Sequence, residues 1–167
     1  MRRGRLLTPE PQEGTWQLAQ RVARLALSLE APSDLDPLLE RIGEARYVLL
    51  GEASHGTCEY YQWRARISQR LIREKGFAFI AVEGDWPDCY RVNRYVKGLP
   101  DAGNDAREVL QSFARWPTWM WANEEIVALA EWLRRHNASL AEDRKVGFFG
   151  LDVYSLWDSL YAVLGYL

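Results

Sequence analysis

Leu18, Val22, Leu25 and Leu29 recur at helical spacing, which predicts a helix over 15–29 behind a loose leader, 1–14, that mixes proline, glycine and charge. Ala31-Pro32-Ser33-Asp34 ends that helix. Ser33 or Asp34 then caps a short second helix whose Leu35, Leu38, Leu39 and Ile42 face a core, with Gly43 as its stop. Arg46-Tyr47-Val48-Leu49-Leu50 is a short apolar run of the kind that forms a strand covered on both faces. After a loop at 51–57, Tyr60, Trp63, Ile67 and Leu71 predict a helix running to about Lys75, closed by Gly76. A second strand is expected over 77–82 and a third over 145–149. Between them the pattern predicts helices over 90–96 and 106–113. A further helix is capped by Asn123, with Glu124 and Glu125 in its first turn and Val127, Ala130 and Leu133 as its stripe. Leu156, Leu160, Val163, Leu164 and Leu167 place a last helix over 155–167.

Strands that alternate with helices imply βαβ units. The expected fold class is therefore α/β: a parallel sheet flanked by helices, with right-handed crossovers. Three strands make a small parallel sheet, whose faces and edges normally need cover. The sequence also stops without a cap or polar tail. Residues 15–167 are thus expected to form the N-terminal part of a larger α/β domain. Either further chain or an oligomer partner is expected to cover the sheet, and 1–167 alone is expected to be weakly stable or sticky.

Charge narrows the possible partners. Against 23 Asp and Glu stand 21 Lys and Arg, a net charge of −2 with pI near 5.8, which lacks the positive excess that nucleic-acid binding requires. No run is long and apolar enough for a membrane span, and no secretory h-region follows the basic start. The reading is a cytoplasmic protein that binds neither nucleic acid nor membrane. Two cysteines, Cys58 and Cys89, are too few for a disulfide framework.

Each predicted strand is followed at once by a carboxylate: Glu52, then Glu83 with Asp85, then Asp152. In open parallel sheets the ligand crevice lies beyond the carboxyl ends of the strands, so these acids are expected on one rim. His55 belongs to the same rim. A histidine beside a carboxylate suits general-base work, because the acid orients the ring and stabilises it after proton uptake. Single acids after strands also serve simply as helix caps. Ser54 sits between strand and helix as a nucleophile elbow requires, yet Glu52 stands where the elbow has its first glycine, and His55 adjoins Ser54 too closely to take its proton. Glu52, His55, Glu83 and Asp152 can alternatively be read as ligands of a divalent ion, and Cys58 and Cys89 more weakly as soft ligands. His136, in a last helical turn, suits the helix dipole. Trp116-Pro117-Thr118-Trp119-Met120-Trp121 is either core or the wall of a pocket that binds a ligand without turning it over.

Taken together, Gly51-Glu52-Ala53-Ser54-His55-Gly56, Glu83-Gly84-Asp85-Trp86, Trp119-Met120-Trp121 and Gly150-Leu151-Asp152 resemble the erythromycin esterase family, from about Tyr47 onward. The resemblance implies a hydrolase outside the serine-triad type, one that opens a macrolactone, and so confers macrolide resistance, by water attack on the ester. It implies no cofactor and no metal. It also implies His55 as general base, Glu52 and Glu83 as its acidic partners, and Arg64 as a cation for the oxyanion or substrate. Asp85, Asp152, Trp119 and Trp121 are the matching candidates for contact with a small-molecule ester. Further histidines from the second half of such proteins are expected near His55. Family chains are more than twice as long as this one.

Overall fold

A computed structural model describes residues 13–115, 117–152 and 156–167. The chain divides into two compact units, Met1–Arg41 and Ile42–Leu167. In the first, α1 spans Glu13–Leu25 and is followed by a 3-10 turn, Pro32–Leu35, that leads into α2, Asp36–Ile42. The Asp34 carboxylate closes the turn by accepting from the N–H groups of Glu30 and Ala31, both at 2.8 Å. Helix α1 starts inside the expected leader and stops four residues short of Leu29. Its expected stripe is open to solvent, Leu18, Val22 and Leu25 all being exposed. Leu35 and Leu39 are buried, whereas Leu38 is exposed.

The second unit carries α3 (Cys58–Lys75), β1 (Phe79–Asp85), α4 (Trp86–Val96), α5 (Ala106–Leu110), α6 (Glu124–Asn137), β2 (Gly147–Asp152) and α7 (Leu156–Tyr166). β1 and β2 pair in parallel, from Phe79 opposite Gly147 to Val82 opposite Gly150, with an irregularity before Asp85 meets Asp152. The architecture is a helix-rich α/β arrangement, a parallel sheet flanked by helices.

Two expectations need correction. Residues 46–50 are not a strand: they run without a ladder partner, and the described sheet has two strands. Tyr47 and Leu49 are exposed while Val48 and Leu50 are half-buried, so one side of this segment packs and the other does not. An apolar run supplies side chains for a sheet but not the neighbouring backbone that makes it a strand. The buried face of α3 is also displaced by one position. Tyr61, Ala65, Leu71 and Ile72 are buried, whereas Tyr60 is exposed and Trp63 is roofed by the Arg66 guanidinium, 4.5 Å from its ring centre. Trp63 keeps its apolar surface covered without entering the core.

The core lies between the sheet and α3, α4, α5 and α6, built on Tyr95, Val96, Leu133 and Phe148 among others. Asn123 caps α6 as expected, its Oδ1 accepting from Ile126 N–H at 3.0 Å. Two buried asparagines tie the helices to β2. Asn93 Oδ1 accepts from Phe148 N–H at 3.0 Å, and Asn137 bonds both Val96 and Val146. Gly150 lets the strands close at their carboxyl ends, since a Cβ there would lie 2.4 Å from the Gly84 carbonyl oxygen and 2.9 Å from Cys89 Sγ.

Candidate active site

Both strands run through their acids instead of stopping before them. Glu83 and Asp85 belong to β1, and Asp152 is the last residue of β2. The loop at 51–57 approaches the same end of the unit, so that Glu52, His55, Arg64 and Glu83 all line one cavity of about 850 Å³. Its deeper wall is apolar, supplied by Leu50, Leu71, Ile80 and Phe148.

Within this group the contacts are specific. His55 Nδ1 is hydrogen-bonded to Glu52 Oε1, and Arg64 Nη2 stands 2.9 Å from Glu52 Oε2. With the carboxylate accepting, Nδ1 carries the proton and Nε2 is the basic nitrogen. Glu52 is 10% exposed and His55 45%, so the orienting acid is sheltered while the imidazole opens to solvent. Glu83 shares the cavity wall, but among the described residues no hydrogen bond or ion pair joins it to His55. It is held through its backbone instead: Trp121 Nε1–H donates to the Glu83 carbonyl at 2.7 Å.

Trp121 is both core and wall. Its ring meets Tyr61 and Phe148 edge-on, at 6.4 and 6.2 Å between centres, while it also lines the cavity. Trp119 lies against the histidine loop, where a Cβ on Gly56 would sit 3.0 Å from its ring. Gly56 has φ +80°, which a side chain adopts only at a cost. Gly56→Ala is therefore expected to lower stability by about 1–2 kcal/mol. Thermal unfolding of the variant checks this; an unchanged midpoint would contradict it. Trp116 lies outside the described residues.

Asp85 and Asp152 face each other at the end of the ladder, apart from the cavity lining. Burial, and then the charges of Glu83 and Asp85, push the Asp152 carboxyl above its ordinary value. Asp85 is 8% exposed and stands 3.6 Å from the Arg115 guanidinium. The three acids and one histidine considered as ligands of a divalent ion do not gather. Among the described residues no group of three or more His, Cys, Asp or Glu is placed to hold an ion.

The remaining candidates are occupied elsewhere. Cys58 Sγ–H donates to Glu125 at 2.9 Å, which raises its thiol pKa, and burial pushes Cys89 up to about 12. Neither is poised as a thiolate. Ser54 Oγ lies 3.0 Å from Thr57 Oγ1. His136 stacks on Trp132, and burial, then Arg73, lowers its pKa. The sequence reading missed Tyr61, a buried phenol on the cavity wall beside Glu52 and Arg64. Its signal was available, because it precedes Arg64 by three positions and so shares that face of a helix.

A parallel sheet with a carboxylate-bonded histidine on a cavity at its carboxyl end defines an α/β protein with a ligand-sized crevice at the usual place. The chain belongs to the erythromycin esterase family: the family model described by that name matches residues 72–167. That span contains Glu83 and Asp152 and begins after His55. An erythromycin esterase type II of Escherichia coli is 29% identical over 120 residues, covering 72% of this chain and 26% of the relative. A crystallised succinoglycan biosynthesis protein matches at TM-score 0.68 and 31% identity, over 86% of this chain and 36% of its own. A crystallised Bacillus cereus protein matches at TM-score 0.69 and 28% identity, over 87% and 35%. The chain thus spans about a quarter to a third of the length of these relatives. Among the described residues no helix is long and apolar enough to cross a membrane.

Proposed function

We propose that this chain carries the general-base part of an ester-hydrolysing site, acting on lactones or other carboxylic esters within the complete protein. The observation that supports it is the chain of contacts His55–Glu52–Arg64 on a cavity wall. In this reading His55 Nε2 takes a proton from water as the water oxygen bonds to the ester carbonyl carbon. The carbonyl electron pair moves onto its oxygen, facing Arg64. When that pair returns, the bond to the alkoxy oxygen breaks and the imidazolium proton passes to the leaving oxygen. Glu52 holds the ring in one tautomer and offsets its charge; Glu83 adds a second acid to the wall. Asp85, Asp152, Trp119 and Trp121 are proposed for substrate contact at the rim. No metal or cofactor enters these steps.

The assay is hydrolysis by the complete protein of a panel led by erythromycin, because a curated relative is named as an erythromycin esterase. Succinoglycan joins it on the name of a solved relative. The product should gain one water. A protein that binds these compounds without opening them contradicts the proposal and favours a binding module; activity abolished by chelation favours the divalent-ion reading. Ser54→Ala should retain activity within a few fold, since Ser54 bonds Thr57 and no base. Loss on the order of 10³ would instead make Ser54 the nucleophile.

A further inference from the structure

Tyr61 is 3% exposed and its phenol oxygen is buried; the Gly56 backbone and the Arg64 side chain approach that oxygen as donors, but its O–H finds no acceptor among the described residues. A buried hydroxyl left this way costs stability unless something arrives to use it. The residue lines the cavity that holds Glu52, His55 and Arg64. Its ring is fixed from two sides, by the Arg64 guanidinium 4.6 Å from the ring centre and by the edge of Trp121. A rigid ring with an unused O–H beside a cation is the arrangement required of a donor aimed at charge that develops during reaction.

We propose that Tyr61 is a catalytic hydrogen-bond donor, paired with Arg64, that binds the tetrahedral oxyanion formed when water adds to the ester carbonyl. Burial, and then the Glu52 charge, keep the phenol above its ordinary pKa, so it stays protonated and able to donate. It transfers no proton. The O–H dipole meets the oxygen that gains the electron pair, and the bond relaxes when the carbonyl re-forms. This inference rests on the proposed esterase reading.

Tyr61→Phe tests it, because the ring and its contacts with Arg64 and Trp121 remain and only the hydroxyl is lost. In the complete protein kcat should fall by on the order of 10–10², with KM little changed and the thermal midpoint held or raised, because a buried O–H without an acceptor is removed. A purely structural hydroxyl would lower the thermal midpoint and leave kcat unaltered, which would overturn the proposal. A second measurement does not depend on turnover: calorimetric affinity for the monoanion of ethyl butylphosphonate, a tetrahedral stand-in for the oxyanion. Affinity should drop about tenfold in Tyr61→Phe while that for the neutral ester ethyl butyrate holds. Equal phosphonate affinity in both proteins would overturn the proposal. A Tyr61-dependent phosphonate affinity in a protein that hydrolyses no ester would leave the anion site standing and remove the esterase reading.

Discussion

Asn137→Leu is expected to lower folding stability by at least about 3 kcal/mol. Asn137 ends α6 and has no exposed surface, and its amide is fully engaged. Nδ2 donates to the Val96 carbonyl at 2.8 Å and to the Val146 carbonyl at 2.9 Å, while Oδ1 accepts from Val146 N–H at 2.8 Å. One side chain therefore joins the end of α4, the end of α6 and the approach to β2. Leucine has the same branching but is larger, so no cavity forms and overpacking adds to the cost. Three buried backbone groups lose their partners instead, each at about 1–3 kcal/mol. Urea unfolding of wild type and variant, followed by tryptophan fluorescence, measures the difference. A loss below about 1 kcal/mol would show that the freed groups find other partners.

That role could not be read from the sequence, where Asn137 reads only as the residue after a basic last turn. Local signals survived where their partners are close in the chain. The Asn123 cap, the stop at Gly76 and the acids at the strand ends depend on neighbours a few residues away, and each was legible. Residues 46–50 failed because strand formation depends on a second backbone that an apolar run does not specify. The strands were read as ending before Glu83 and Asp152 because a carboxylate looks like the end of a buried run. Gly84 and Gly150 allow the pair to continue past that point. The buried face of α3 was displaced because Trp63 outweighs Ala65 in apolar size and Tyr60 is indistinguishable from Tyr61 in the pattern. What buries Tyr61, Ala65 and Ile72 is packing in a core built from distant elements. The same displacement hid Tyr61.

His55→Ala is expected to carry the largest effect on activity. Among the described residues His55 is the one imidazole on the cavity wall, with its Nδ1 hydrogen-bonded to Glu52, and in the proposed function its Nε2 is the base. Removing it takes away the proposed proton acceptor and leaves Glu52 with Arg64 as its contact in this chain. General-base loss of this kind costs on the order of 10²–10⁴ in rate, about 3–5 kcal/mol of transition-state stabilisation. Stability should hardly change, because the side chain is 45% exposed and is not a member of the core cluster. The direct measurement is kcat/KM of the complete protein and its His55→Ala variant on the same ester, with thermal unfolding recorded for both. The site described above predicts a fall of about 10²–10⁴ with an unchanged thermal midpoint; a variant as active as wild type would contradict it.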